Sequence, residues 1–279
     1  MAWVRAAGYD RSNIRITAIN QFMRVYVGCC SRTAPWDKYA RLFDAIEVNS
    51  TFYRLPREET VRRWMDETEG RIVFCMKAFQ GITHPISSPT WKRAGKQRPK
   101  TNIENYGYLK PTRESFDCWD GILKICNVMN TRVCVIQLPP SFDCNDKNLD
   151  NALTFLSSIR RDGLIIGIEF RHRSWFTDSN SNKTVMLLNK ANLIHIVDPF
   201  AFMPSKRDES IYFRMHGDII SNNDKISYNY NHEYSNEELE RLKDIVESLD
   251  AKEVFVMFNN ISMHSDALRF KSVLNPLHS

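Results

Sequence analysis

The sequence predicts an α/β fold, a single-domain TIM (β/α)8 barrel, and three observations carry that expectation. Eight short runs of β-branched and apolar residues recur along the chain, at 24–30, 45–50, 71–77, 132–137, 164–169, 193–198, 211–216 and 253–260. Most gaps between them carry helical periodicity, so the alternation reads as βαβ units feeding a parallel sheet. Nearly every run stops at a polar or ionisable residue, as in barrels whose chemistry sits at the C-terminal strand ends.

With 279 residues, 43% of them hydrophobic, the chain is long enough for a large core and close to the usual barrel length. No apolar run reaches the roughly 18 residues of a membrane span. The first 22 residues contain no uninterrupted apolar stretch of the secretory-signal kind. The expectation is therefore a cytoplasmic protein with no membrane partner. Residues 1–22 are polar and irregular, and Met23 directly precedes the first strand. They read as an extension, either loosely ordered or a product of start-codon choice, with 23–279 as the barrel domain. Seven cysteines, none in a CxxC pair, support neither a disulfide framework nor a zinc ribbon.

Taken in order, the units are legible in places. Cys29 and Cys30 end the first strand, where a nucleophilic role would need an adjacent base or positive charge. Pro35 then suits a first helical position, with Trp36, Tyr39, Ala40 and Phe43 at helical spacing. Cys75 and Cys134 fall inside strands and Cys118 and Cys126 inside a helix, as small buried hydrophobes. Pro139 and Pro140 fix the exit of the fourth strand. Behind the cap candidates Asn145 and Asp146, residues Leu149, Ala152, Leu153, Leu156 and Ile159 form one apolar stripe. The sixth βα unit is irregular: residues 199–210, broken by Pro204, are too short for a crossover helix. Ser235 with Glu238 three residues on makes a capping box, followed by Leu239, Leu242, Ile245, Val246 and Leu249 on one face.

Charge is concentrated in one place. Residues 85–113 hold Lys92, Arg93, Lys96, Arg98, Lys100, Lys110 and Arg113 against Glu104. That segment alone is +6, so the rest of a +5 chain is nearly neutral. It is a basic insertion after the third strand, on the active face. Trp91, Tyr106 and Tyr108 interleave its charges, a mixture suited to phosphate contact plus base stacking, with Lys92, Arg93, Lys96 and Arg98 as the nucleic-acid contacts. The alternative reading is a solvated insertion.

The strand ends would gather Glu47, Lys77, Gln137, Glu169, Asp198, His216 and Asn259. Pleat parity adds two more, because Arg214 shares a face with His216 and Arg171 with Glu169. Lys77, Arg171 and Arg214 suit a phosphate or carboxylate, with Glu169 as general base, His216 as acid and Glu47 as a further catalytic carboxylate. Tyr53 and Trp175 would wall the pocket, and Asn259 and Asn260 would hydrogen-bond a substrate or orient a neighbour. Glu47, Glu169, Asp198 and His216 are also ligand types for a divalent metal. Three cations crowd the same mouth and no HExxH is present, so no metal or other cofactor is expected. His84 belongs at the rim, and His172, His195, His232, His264 and His278 read as structural or surface residues. Glu47 and Glu169 end the second and fifth strands, not the fourth and seventh of the common barrel glycosidases, which argues against that class. A salt-bridged layer that simply fills the mouth is the competing explanation of the whole set.

The stretches IEVNSTFYRLP (46–56), ITH (82–84), IQLPPSF (136–142), IEFRHRSW (168–175), YFRMHG (212–217) and FNN (258–260) resemble the domain-of-unknown-function 72 family, also called YecE-like. The resemblance covers roughly residues 24–274. It implies a TIM-barrel fold and a set of positions, but no reaction. The chain departs from the family after its first strand, where GCCSR at 28–32 replaces the usual Gly-containing turn with an aromatic.

The functional expectation is an anionic ligand, phosphorylated or nucleic acid, bound at the C-terminal barrel mouth by a hydrolase. Two alternatives stay open: a non-catalytic nucleic-acid-binding protein, and a metal-dependent isomerase or lyase acting on a sugar phosphate. Oligomeric state is not legible.

Overall fold

A computed structural model describes residues 23–222 and 224–274. The extension at 1–22 and His278 lie outside the described residues. Strands β1 (Arg24–Cys29), β2 (Ala45–Val48), β3 (Val73–Lys77), β4 (Val133–Gln137), β5 (Ile165–Glu169), β6 (Ile194–His195) and β7 (Ser210–Met215) each fall in one of the expected runs. Strands β8 (Asp218–Asn222) and β9 (Lys225–Asn229) form a separate antiparallel hairpin, and β10 (Glu253–Phe258) completes the main sheet. That sheet is parallel throughout, in the order β6-β5-β4-β3-β2-β1-β10-β7. A single parallel bridge from Val197 to Phe213 links its two ends, so the barrel is nearly closed.

Helices α1 (Trp36–Leu42), α2 (Glu58–Thr68), α3 (Arg113–Val128), α4 (Asp146–Ser158), α5 (Ser181–Lys190), α6 (Asn236–Glu247) and α7 (Met263–Leu274) pack outside the strands. Their ends follow the expected chemistry. Asn145 caps α4 by accepting from the Asn148 amide, and Ser235 and Glu238 close the capping box of α6. Pro35 takes the N-cap of α1, one position before the expected one. Between β6 and β7 the described chain has no helix, only a turn and irregular backbone, in a short segment that Pro204 interrupts. No helix among the described residues is long and apolar enough to cross a membrane.

Alternation sorts each strand into two faces. One face joins the helices in the large outer core, including Val27, Phe74, Ile136, Ile168, Phe213 and Val256. The other points into the barrel, where Cys30, Ala45, Cys75, Val133, Val135, Ile194, Ile196, Tyr212, Phe255 and Met257 make a second apolar cluster. One step further along the inward face stand Glu47, Lys77, Gln137, Glu169 and Arg214. The barrel therefore carries an apolar plug below and an ionic layer above. At its opposite end Arg132 donates to Glu253 at 2.9 Å, and Ser210 donates to the same carboxylate at 2.6 Å.

Three expectations change here. The cysteine thiols at the end of β1 are buried: Cys29 donates to the Met263 carbonyl at 3.3 Å and burial pushes its thiol up to about 12, while the Cys30 thiol is raised well above its ordinary value. Neither suits a nucleophile. The aromatics of the basic insertion face inward. Trp91 is buried with its indole N–H donating to the His84 carbonyl at 3.1 Å, edge-on to Phe79 and Tyr106, and Tyr108 stacks on Phe142. These contacts anchor the loop to the barrel, with Tyr106 and Tyr108 partly buried. The third change is the β8–β9 hairpin, which the sequence reading left unassigned.

Gly28 lies on the inward face of β1, and a Cβ there would sit 1.9 Å from the Ala45 carbonyl oxygen. Gly28→Ala is expected to lower stability by about 3 kcal/mol, since the clash is with backbone and β1 and β2 must part to relieve it. Urea unfolding of the two proteins measures this.

Candidate functional site

Arg214, inward on β7 and fully buried, organises the mouth. Its Nη2 donates to Glu47 Oε1 at 2.9 Å, its Nη1 to Gln137 Oε1 at 2.9 Å, and Nη1 also pairs closely with Glu169 Oε2. One guanidinium thus ties β7 to β2, β4 and β5. The second oxygen of Glu47 accepts from the Tyr212 hydroxyl at 2.9 Å. The second oxygen of Glu169 pairs with Arg171 and lies 3.2 Å from His216 Nε2.

Arg171 enters just beyond β5. Its Nη2 is 3.0 Å from His216 Nε2, its Nη1 reaches the Tyr230 hydroxyl at 3.4 Å, and its guanidinium lies over the Tyr228 ring at 4.7 Å. The hairpin is fastened there: Ile226 donates its amide to the Arg171 carbonyl at 2.9 Å, and His172 bridges Lys225. Asn259 Nδ2 is 3.0 Å from His216 Nδ1, and Asn49 Nδ2 donates to Asn259 Oδ1 at 3.4 Å. Asp198 works from behind, accepting from the amides of His216 at 2.9 Å and Phe200 at 3.0 Å.

Lys77 is different. Its Nζ donates to Gln137 Oε1 at 2.9 Å and lies 4.2 Å over the Phe52 ring, and among the described residues it makes no ion pair. Guanidinium groups engage Glu47 and Glu169, and backbone amides engage Asp198, so Lys77 is the one cation of the cluster without a carboxylate partner among the described residues.

The matching family, described as "Protein of unknown function DUF72", covers residues 23–277. The chain belongs to this family. The UPF0759 protein YunF of Bacillus subtilis (strain 168) is 26% identical over 261 residues, covering 86% of this chain and 85% of the relative. A shorter match joins the chain to the UPF0759 protein YecE of Escherichia coli (strain K12), 42% identical over 48 residues, 17% of this chain and 18% of the relative. Among solved structures, a DUF72 family protein from Enterococcus faecalis V583 superposes with a TM-score of 0.64 at 20% identity, covering 91% of this chain and 98% of that one. Another from Thermotoga maritima MSB8 gives 0.61 at 22% identity, covering 90% and 99%. These structures establish the DUF72 barrel fold.

Of the residues expected at the site, Glu47, Lys77, Gln137, Glu169, Arg171, Asp198, Arg214, His216 and Asn259 form this connected cluster. Trp175 does not join it. It is fully buried, stacked between Phe142 and Phe170, with its N–H donating to the Phe142 carbonyl at 2.8 Å, so it is core and not a pocket wall. Tyr53 sits at the rim under the Arg93 guanidinium, 3.7 Å from its ring centroid. Lys92, Arg93, Lys96 and Arg98 are exposed on the insertion, and Asn260 holds Asp266 at 2.6 Å and the His232 carbonyl at 2.8 Å away from the cluster. Sequence reasoning missed Asn49, Phe52, Tyr212, Tyr228 and Tyr230. Tyr212 was available from parity, two residues before Arg214. The tyrosines required recognising the hairpin.

The four expected metal-ligand types do not present a shared ligand sphere, since guanidinium groups occupy Glu47 and Glu169, amides occupy Asp198, and Arg171 and Asn259 flank His216. A different group, Asp218, His232 and Glu238, brings three donor atoms within 4.8 Å of one another. His232 spans the two carboxylates with one ring nitrogen each, at 3.1 and 3.0 Å, so hydrogen bonding alone accounts for it.

Burial and charge set the ionisation of the cluster. Burial alone would raise the Glu169 carboxyl, but Arg171 and Arg214 outweigh it and hold the group well below the usual carboxylate range. Burial, reinforced by Arg171, lowers His216 to about 3, and burial with Lys77 and Arg171 does the same to His84. Asp198 rises to about 7 through burial, against its two amide donors. Lys77 falls to about 7, through burial first and then repulsion from Arg214 and Arg171, over the attraction of Glu47 and Glu169.

Two predictions follow from this balance. Arg214→Ala strips the buried Glu47 of its only ion pair among the described residues and leaves Glu169 with Arg171 alone, and should cost about 3–5 kcal/mol in urea unfolding. Buried neutral His84, His195 and His216 all have folded values near 3 against 6.5 in the unfolded chain. Their contribution is whole above pH 6.5 and is lost as pH falls toward 3, because the unfolded chain then binds protons the fold excludes. Asp198, raised to about 7, binds a proton in the fold over most of the same window and offsets one of the three, so stability should decline at up to about 3 kcal/mol per pH unit, which denaturant titrations at stepped pH will read.

Proposed function

We propose that the barrel mouth binds a small anionic molecule, carrying a carboxylate or phosphate, and that the chain is an enzyme acting on it. The observation that carries this reading is the surplus charge of Lys77, a buried ammonium beside two guanidinium groups whose own counterions are already supplied. Desolvating a cation without a partner is costly, and a bound anion removes that cost. Gln137, Asn49 and Asn259 are half-buried at the same opening and offer polar contacts. In this reading Lys77 is the cation that meets the ligand, and Glu169 is not the general base. Glu169 is too acidic and has both oxygens engaged, and His216 is neutral and supplies hydrogen bonding instead of acid catalysis.

The basic insertion supports a second use of the same face. Lys92, Lys96 and Arg98 stand free on its surface, and a phosphate backbone could run along them without base stacking.

Oxalate, whose charge is constant over the range used, is the probe for the mouth. Calorimetric titration should show binding that is strongest below about pH 7 and weakens about tenfold per pH unit above it, because the anion needs protonated Lys77. Lys77→Met should weaken binding at least about tenfold. Binding that ignores pH and this substitution contradicts the proposal. Replacing Lys92, Arg93, Lys96 and Arg98 with Ala should leave oxalate binding intact; if these residues also hold nucleic acid, the same variant loses salt-dependent binding of a single-stranded oligonucleotide.

A further inference from the structure

We propose that Lys77 is a nucleophile that forms an imine with the carbonyl carbon of a 2-oxo acid held in the barrel mouth. This rests on the anion-binding reading above and names its substrate class. Three geometric facts support it.

The first is the amine's setting. Lys77 ends β3 on the inward face, is 9% exposed, lies against the Phe52 ring, and stands beside Arg171 and Arg214 with no carboxylate of its own. A lysine desolvated in an apolar niche next to other cations is the arrangement that leaves a free amine near neutral pH, as its shift to about 7 also indicates. A lysine kept only for structure would be expected to hold an ion pair. This one donates to an amide oxygen instead.

The second is spacing. Lys77 Nζ and Arg171 Nη2 touch the same atom, Gln137 Oε1, at 2.9 and 3.4 Å. One small molecule with adjacent carbonyl and carboxylate groups can therefore reach both, its carbonyl carbon against the amine and its carboxylate against the guanidinium. A plain dicarboxylate or phosphate uses only the charge of this pair. A 2-oxo acid uses the nucleophile as well.

The third is the state of the anion's other partners. Gln137 Oε1 receives Lys77, Arg214 and Arg171 together, one donor more than its two lone pairs, and the 3.4 Å contact from Arg171 is the longest of the three, so that guanidinium is the donor most readily given up to a ligand. Gln137 Nε2 makes no hydrogen bond among the described residues, and Arg171 Nη1 has only the long contact to the half-exposed Tyr230 hydroxyl. Both donors are available to a carboxylate.

The step balances without any co-reactant. The Nζ lone pair forms the C–N bond while the carbonyl π pair moves to oxygen, which takes a proton from nitrogen to give the carbinolamine. A second proton, taken up from solvent, lets that oxygen leave as water as the nitrogen lone pair closes the C=N bond. The product is a protonated imine whose C=N carbon bears the carboxylate, an electron sink for the groups on that carbon, and one molecule of water.

Trapping with borohydride tests this on the full chain. Pyruvate followed by borohydride should convert Lys77 to a secondary amine, located by peptide mass mapping, and the trapped fraction should rise through about pH 7 as the amine is freed. Lys77→Arg should not be labelled at this position. Gln137→Glu gives the lysine a carboxylate partner in place of an amide oxygen, so its rise should move up by at least about one pH unit. A merely structural lysine would show no such displacement. If oxalate binds with the pH dependence given above but pyruvate is not trapped on Lys77, the imine is overturned and the anion site stands. If neither ligand binds, both fail. Labelling spread over surface lysines, with no preference for Lys77, also overturns the imine.

Discussion

A guanidinium with no access to water must be neutralised by its own fold, and Arg214 imposes that requirement on the whole C-terminal end of this barrel. It draws Glu47 from β2, Glu169 from β5 and Gln137 from β4 to one point. Arg171 adds a second cation to Glu169, and the Tyr212 hydroxyl donates to the second oxygen of Glu47. Breaking any of these contacts leaves a buried charge without a partner, so the layer is held in one arrangement by the cost of every alternative. The apolar plug beneath it, built from Cys75, Val133, Val135, Tyr212, Phe255 and Met257, keeps water out from below and sharpens that cost.

The rigidity of this layer gives Lys77 its character. The guanidinium groups are taken by Glu47 and Glu169, and the third cation is left with an amide oxygen and an aromatic ring for company. An ionic layer whose only task was to fill the barrel would have no reason to include it. The competing idea of a purely structural mouth explains Glu47, Glu169 and Arg214 well, and Asp198 too, since that carboxylate clasps two amides. It does not explain an unpaired lysine. The hairpin of β8 and β9 adds a wall, because Tyr228 and Tyr230 lie on Arg171 and beside His216.

Much of this was legible from residue order alone, for a definite reason. Inward residues recur every second position, so Glu47, Lys77, Gln137, Glu169 and Arg214 declare their face and their end of the strand together. The capping box at Ser235 and Glu238 and the missing sixth helix were equally local features. What could not be read was set by contacts between distant segments. Trp175 looked like a pocket wall because it follows the Glu169 and Arg171 motif, yet the chain turns there and stacks the ring between Phe142 and Phe170. The rings of the basic insertion likewise point inward, a choice made by Phe79, Phe142 and the His84 carbonyl. Roles were harder than places: Glu169 and His216 lie side by side at the strand ends, but their ionisation depends on how Arg171 and Arg214 divide their contacts, which no spacing encodes.

The account turns on the ionisation of one side chain, and that can be watched directly. In protein carrying isotope-labelled lysine, the Lys77 side-chain resonance, assigned by its loss in Lys77→Arg, can be followed by NMR as pH is raised. The account predicts a midpoint of about 7, separated from the other lysines. A midpoint in the ordinary range near 10.4 would mean that Lys77 has found a counterion, and would contradict the account.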